Sequence, residues 1–191
     1  MWETTDRASV ERPRFVGVPE LPEVERARTL IAERALGRRI AAVDDTDTYV
    51  CRPHAPGEIA TALTGRELTE ANRIGKTMWV ETDGGPALGL HLGMAGRIVV
   101  DDASEGDPAP YDGAPALWDR FTLEFEDGGR LVLRDKRRLG RAMLDPDLSR
   151  LGPDALEVSR DAFRERVGRG SGPLKARIMD QSVIAGVGNL L

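Results

Sequence analysis

Residues 120–134 read Arg-Phe-Thr-Leu-Glu-Phe-Glu-Asp-Gly-Gly-Arg-Leu-Val-Leu-Arg. Phe121, Leu123 and Phe125 alternate with Thr122, Glu124 and Glu126, the period of a strand with one buried face. Asp127-Gly-Gly129 supplies the permissive backbone that a tight hairpin needs, and Arg130 to Arg134 is the returning strand. Such hairpins argue against a parallel α/β fold, whose strands are joined by crossover helices. Working outward, Asp83-Gly-Gly85 repeats the turn signal, and Thr77 to Glu81, Ala87 to Leu92 and Arg97 to Val100 carry further strand signals. The expected class is α+β: an N-terminal helix on an antiparallel β-sandwich or flattened barrel, followed by the start of an all-α unit.

The helix is announced by Pro19-Glu-Leu-Pro-Glu-Val-Glu25. Pro22 suits a first turn, where its missing N–H is harmless, and Glu23 and Glu25 favour the positive helix end. Val24, Ala27, Ile31 and Ala35 mark one face, and Gly37 can close the helix in a left-handed conformation. Asp101 to Pro115 is an acidic surface loop. Ser159 can cap a helix through Val167, Gly168-Arg-Gly-Ser-Gly-Pro173 reads as a linker, and Leu174 to Gln181 is helix-like. Ala185-Gly-Val-Gly188 is a tight turn, with Asn189 as the cap of a helix that has barely begun. The expected layout is an unpatterned extension at 1–17, a sandwich domain at 18–168, a linker at 169–173 and an unfinished helical unit at 174–191.

No apolar run approaches the roughly 20 residues of a membrane span, and Met1 to Gly17 lacks a signal-peptide core, so a cytoplasmic protein without membrane contact is expected. The single cysteine, Cys51, rules out an internal disulfide. With only His54 and His91 beside it, no closed zinc site is implied, and Cys51-Arg-Pro-His54 is at best half of one. The formal charge of −5 looks wrong for a nucleic-acid binder, but phosphates meet a local patch and not an average. From Arg134 to Arg141 five cations, Arg134, Lys136, Arg137, Arg138 and Arg141, stand against one acid, Asp135. A charge run is usually a solvated face; bounded by a strand and by Gly140, this one is also how a loop presents arginines to phosphates.

Taken in order, Pro19-Glu20, Lys76, His91-Leu-Gly-Met94, Lys136-Arg-Arg-Leu-Gly140 and Asp180 to Asn189 resemble the Fpg/Nei family, in its formamidopyrimidine-DNA glycosylase branch. The resemblance runs from Val18 to Leu191. Any one segment alone is weak, and a lone Pro-Glu-Leu-Pro-Glu is usually just a helix opening. The resemblance implies a base-excision repair enzyme that removes oxidised or ring-opened purines and cleaves abasic sites by β-elimination through an N-terminal proline Schiff base. Its partner would be double-stranded DNA with damaged bases or abasic sites, and the protein would be a bacterial, nucleoid-associated monomer.

Carried over residue by residue, Pro19 is the nucleophile and Glu20 the acid. The lone alternative for Glu20 is helix-end stabilisation. Lys76, which would otherwise read as a solvated strand-end lysine, contacts the phosphate near the lesion. Met94, Arg138 and Leu139 fill the gap left by the flipped nucleotide, with Leu139 standing where many members have phenylalanine. His91, Arg137, Lys175 and Asn189 join the DNA contacts. By itself a lone histidine such as His91 is more often a hydrogen-bonded core residue. The layout then becomes a catalytic sandwich domain, a linker and an incomplete helix-two-turn-helix domain. No cofactor is expected within residues 1–191, since the family's zinc finger belongs to a later segment.

The sequence departs from the pattern at one point: an internal Pro19 has an amide nitrogen with no lone pair to offer. We expect Val18 to be the true initiator, because bacteria often start at GUG, which prints as valine behind an upstream start. Two rival readings stay open here: a catalytically inactive, truncated DNA-binding fragment, and a β-sandwich interaction domain with an incidental arginine loop.

Overall fold

The computed structural model describes residues 19–101, 103–104 and 116–188. The expected extension with Val18, most of the acidic loop after Asp101, and Asn189 to Leu191 lie outside the described residues. In chain order the elements are α1 (Leu21–Arg34), β1 (Ile40–Asp44), α2 (Glu58–Leu63), β2 (Leu68–Ile74), β3 (Thr77–Thr82), β4 (Leu88–His91), β5 (Arg97–Val100), β6 (Ala103–Ser104), β7 (Asp119–Phe125), β8 (Arg130–Arg134), β9 (Arg141–Leu144), α3 (Arg160–Gly168) and α4 (Leu174–Met179).

The strands form two antiparallel sheets, ordered β1-β7-β8-β5-β6 and β2-β3-β4-β9. Phe121, Leu123, Leu131, Leu133, Ile98 and Val100 from the first meet Met78, Val80, Leu88 and Leu90 from the second in one core. Val24, Ala27 and Ile31 of α1 close that core. Fully burying such a side chain stabilises the fold by about 1.5–3 kcal/mol. The α+β sandwich therefore follows from apolar alternation along hairpins whose turns take a positive φ at Gly75, Gly84 and Gly128.

Besides the two-residue β6, which pairs with β5 inside the stretch expected to be a surface loop, four elements escaped the sequence reading, each for a physical reason. β2 lacks period two because its pairing with β3 shifts register between Leu68 and Glu70, so its buried residues, Leu68 and Ala71, are three apart. β1 buries only Ile40, and its paired alanines carry little strand signal. β9 grows out of the cation run, so Arg134 and Arg141 belong to strands and the loop itself is only 135–140. α2 has Gly57 at its N-cap, and its orphan amides are satisfied from a distance: buried Asp45 accepts from Gly57 (2.7 Å), Ile59 (2.9 Å) and Ala60 (3.1 Å). α4 is shorter than expected, ending at Met179 because Asp180 turns extended and accepts from the Ser182 amide at 2.9 Å.

Candidate functional site

α1 starts where it does because Glu20 is its N-cap, with the Glu20 amide donating to Glu23 Oε2 at 3.1 Å. This places Pro19, buried, immediately before the helix. The Glu20 carboxylate forms an ion pair with Lys76 Nζ; their side chains are 12% and 21% exposed, so the pair is shielded but reachable. Lys76 follows Gly75, whose φ of 57° makes the tip of the β2–β3 hairpin.

That tip is fixed by acids and backbone from elsewhere. Buried Asp154 accepts from the Gly75 amide at 2.6 Å and is ion-paired with Arg73, whose Nε donates to Glu25 at 2.8 Å. Burial pushes the Asp154 carboxyl up, but Arg73 and the Gly75 and Leu156 amides outweigh it and hold it below the usual range. Glu25 is held down at about 2, chiefly by its bond to Arg28, whose Nη2 donates to it at 2.7 Å, with burial opposing and Arg73 assisting. The Ala185–Gly188 turn completes the enclosure. A Cβ at Gly75 would lie 2.7 Å from the Gly186 nitrogen, and one at Gly188 only 1.5 Å from Glu20 Oε2. Glycine is therefore required at Gly75, which faces backbone at a positive φ, whereas a Cβ at Gly188 would displace the Glu20 carboxylate.

His91, at the end of β4, stands beside this cluster. Its Nδ1 accepts the Gly93 amide at 2.9 Å, so the ring proton of the neutral form belongs on Nε2. Burial, and then the charge of Lys76, push its pKa below 6.5, which keeps the ring neutral. The turn that follows packs on the arginine loop: a Cβ at Gly93, φ 60°, would sit 2.4 Å from the Leu139 carbonyl carbon. Met94, 39% exposed, follows directly on this contact with the Leu139 backbone.

One carboxylate shapes the loop. Buried Asp135 accepts from the amides of Arg137 (2.8 Å), Leu139 (2.7 Å) and Gly140 (2.7 Å), which bends residues 135–140 into a tight clasp. The five expected cations are less free than the sequence suggests. Arg134 Nε donates to Asp119 at 2.5 Å, Arg138 is forked onto Asp47, Lys136 lies over the Trp118 ring at 5.1 Å, and Arg141 donates to the Gly140 carbonyl at 2.8 Å. Among the described residues, Arg137 alone of the five keeps an exposed guanidinium with neither an ion pair nor a ring contact.

The Glu20–Lys76 ion pair beside Pro19, the charge of Lys76 acting on His91, and the packing of the Gly93 turn on Leu139 link these segments into one strip, with Met94 and Arg138 next in sequence to Gly93 and Leu139. Lys175 is exposed on α4, and Asn189 lies outside the described residues. Sequence reasoning missed Arg73, Asp154 and Asp47; acids among neighbours of both signs gave no local signal. The Cys51–His54 pair resolves as structure. Cys51 is buried and its thiol pushed up to about 12 by burial and nearby aspartates. His54 Nε2 accepts the Leu144 amide at 3.1 Å, with Nδ1 3.1 Å from Glu58. Among the described residues no cluster of three His, Cys, Asp or Glu could hold a metal, and no helix is long and apolar enough to cross a membrane.

Residues 18–142 match the family profile described as Formamidopyrimidine-DNA glycosylase N-terminal domain. Among curated proteins, a formamidopyrimidine-DNA glycosylase of a Nocardioides species is 37% identical over 185 residues, covering 91% of this chain and 61% of that protein. The Arabidopsis thaliana protein of the same name is 33% identical over 186 residues, 90% of this chain and 48% of its own length. The chain thus spans about half to two thirds of these relatives. Among solved structures, the Fpg protein of Thermus thermophilus superposes with a TM-score of 0.69 at 31% identity, over 90% of this chain and 61% of that one. The wild-type Lactococcus lactis Fpg, in complex with DNA containing an N7-benzyl-Fapy-dG, gives 0.72 at 25% identity, over 90% and 64%.

Proposed function

This chain belongs to the formamidopyrimidine-DNA glycosylase family, and from that premise we propose that it is the catalytic half of a base-excision repair glycosylase. Its substrate is duplex DNA carrying oxidised or ring-opened purines, and it cleaves the resulting abasic site. The observation that carries the reading is the shielded Glu20–Lys76 ion pair next to Pro19, enclosed by the 185–188 turn.

The nucleophile is the nitrogen of Pro19 as a terminal amine. An α-amino group has a pKa near ~8, so more of it is unprotonated at neutral pH than of a lysine near ~10.4. Its lone pair bonds to the deoxyribose C1′ while the bond from C1′ to the damaged base breaks and the base leaves with a proton. Glu20 protonates the ring oxygen as the C1′–O bond opens to the iminium. The iminium draws the electron pair of a C2′–H bond, the proton goes to base, and the 3′-phosphate departs. Water then hydrolyses the iminium and regenerates Pro19. Lys76 is ion-paired with Glu20 and faces the phosphate. Met94, Arg138 and Leu139 fill the gap left by the flipped nucleotide, offsetting part of the unstacking cost. His91, Arg137, Lys175 and Asn189 contact the DNA backbone.

The test is borohydride trapping on abasic duplex. A form beginning at Pro19 should be captured covalently, the Met1 form should not, and Glu20→Gln in the Pro19 form should slow base release about 10²- to 10⁴-fold. Equal trapping of the two forms without proteolysis would move the nucleophile to another amine, Lys76 first.

A further inference from the structure

Tyr49 is an aromatic side chain left 46% exposed, and three arginines gather round its ring. The Arg52 guanidinium lies 3.9 Å from the ring centroid, that of Arg141 5.3 Å and that of Arg138 5.8 Å. Asp47 matches the charge of Arg138 through its forked contact, whereas Arg52 and Arg141 have no acidic partner among the described residues. Resting on the reading of the chain as a binder of duplex DNA, we propose that Arg52 and Arg141, assembled on Tyr49, form a second phosphate-binding patch. It lies outside the cluster of Pro19, Glu20 and Lys76 and takes backbone phosphates of the bound duplex.

The turn that carries the ring is firmly held. The Val50 and Cys51 amides donate to the Asp47 carbonyl at 3.1 and 2.9 Å, and the Tyr49 amide donates to Asp47 Oδ1 at 3.1 Å. Val50 and Cys51 are buried, which anchors the chain in the core directly after Tyr49 while the ring stays outside. The Ala142 amide donates to the Val50 carbonyl at 3.1 Å, fastening the turn to β9 and setting Arg141 beside the ring. Arg52 Nη1 donates to the Tyr49 carbonyl, and Arg141 Nη1 donates to the Gly140 carbonyl at 2.8 Å. A guanidinium has five N–H donors and no acceptor, so each keeps donors for an anion. Two unmatched cations sharing one ring repel each other, and the ring face offsets part of that repulsion. A phosphate removes it, and because the ring orders both side chains before any duplex arrives, less freedom is lost on binding.

The measurement is the salt dependence of binding to undamaged duplex, read by fluorescence anisotropy on the full chain, which involves no step of catalysis. Each phosphate neutralised adds about 0.9 to the slope of log affinity against log salt. Arg52→Gln combined with Arg141→Gln should therefore flatten the slope by about one to two. Tyr49→Leu keeps both cations but removes the ring, and should weaken binding about threefold to tenfold at low salt, while Tyr49→Phe binds like wild type. Arg160→Gln combined with Arg164→Gln removes the same charge from the exposed face of α3 and should leave the slope unchanged. An unchanged slope in the Arg52 and Arg141 pair, equal flattening by the α3 pair, or wild-type affinity in Tyr49→Leu overturns the patch. If the wild-type chain shows no salt-dependent binding to duplex, the DNA-binding reading fails and the patch falls with it; absence of covalent trapping alone touches only the catalytic reading.

Discussion

The two ends of the strip hold their cations in opposite ways. Around Lys76, the acids and backbone that fix the hairpin tip come from distant parts of the chain: Glu20 and Glu25 from the α1 region, Asp154 from after the sandwich, and the glycine turn at 185–188. Around Arg138, most of the work is local, since Asp135 clasps three amides within five residues of itself. The first arrangement is rigid only when remote segments are docked; the second carries most of its rigidity within one loop, with Asp47 as a distant support. They should therefore fail separately, and for different reasons.

The largest expected effect comes from cutting the long-range end. Asp154→Ala leaves the Arg73 charge, buried at 6% exposure, with Glu25 as its remaining acid, which should cost up to about 3–5 kcal/mol in urea unfolding. A loss below about 1 kcal/mol would mean that Glu25 alone satisfies Arg73. Next, Gly188→Ala pushes a methyl group into the Glu20 carboxylate, and covalent trapping of the Pro19 form should slow about 100-fold while the sandwich still unfolds cooperatively. Trapping at the wild-type rate would show that the contact yields without moving Glu20.

Asp135→Ala sharpens the other side of the comparison. Three amides lose a buried acceptor, for about 1–3 kcal/mol, and excision of a damaged base should suffer more than cleavage of a preformed abasic site. Equal losses on both substrates would erase the distinction between the two ends. The smallest effect belongs to His91, between them. Its folded pKa lies below 6.5, so the folded state binds fewer protons there than the unfolded one. That contribution to stability is complete above 6.5 and is lost as pH falls through the folded value, and His91→Gln should flatten this part of the pH–stability curve. Identical acid slopes for wild type and variant would remove His91 from the account.

What was legible in the sequence follows the same division. The β7–β8 hairpin could be read because Phe121, Leu123 and Phe125 alternate without a bulge. Pro19, Glu20, Lys76 and Met94 were singled out because motifs in order carried them, and the packing of Gly93 on Leu139 shows that two separated motifs meet in the fold. The supports were not legible. Asp45, Asp47 and Asp154 are ordinary acids in a chain with 32 of them, and only the fold reveals that each satisfies amides or an arginine far along the chain. The arginine run was over-read for a related reason: counting charges cannot show that Asp119 and Asp47 already partner two of them.

The closeness of Gly188 to Glu20 also sets an order in time. Synthesis proceeds from the N-terminus and domains fold as units as they emerge, so the sandwich core, complete by Leu144, can form before the 185–188 turn exists. Closing so long a loop adds only a slowly growing entropic cost, so the turn is not penalised for arriving late. Until it docks, the Glu20 carboxylate lacks its wall and the nascent chain carries a folded scaffold with an unassembled acid. The seat of Glu20 is thus incomplete until the 185–188 segment has left the ribosome.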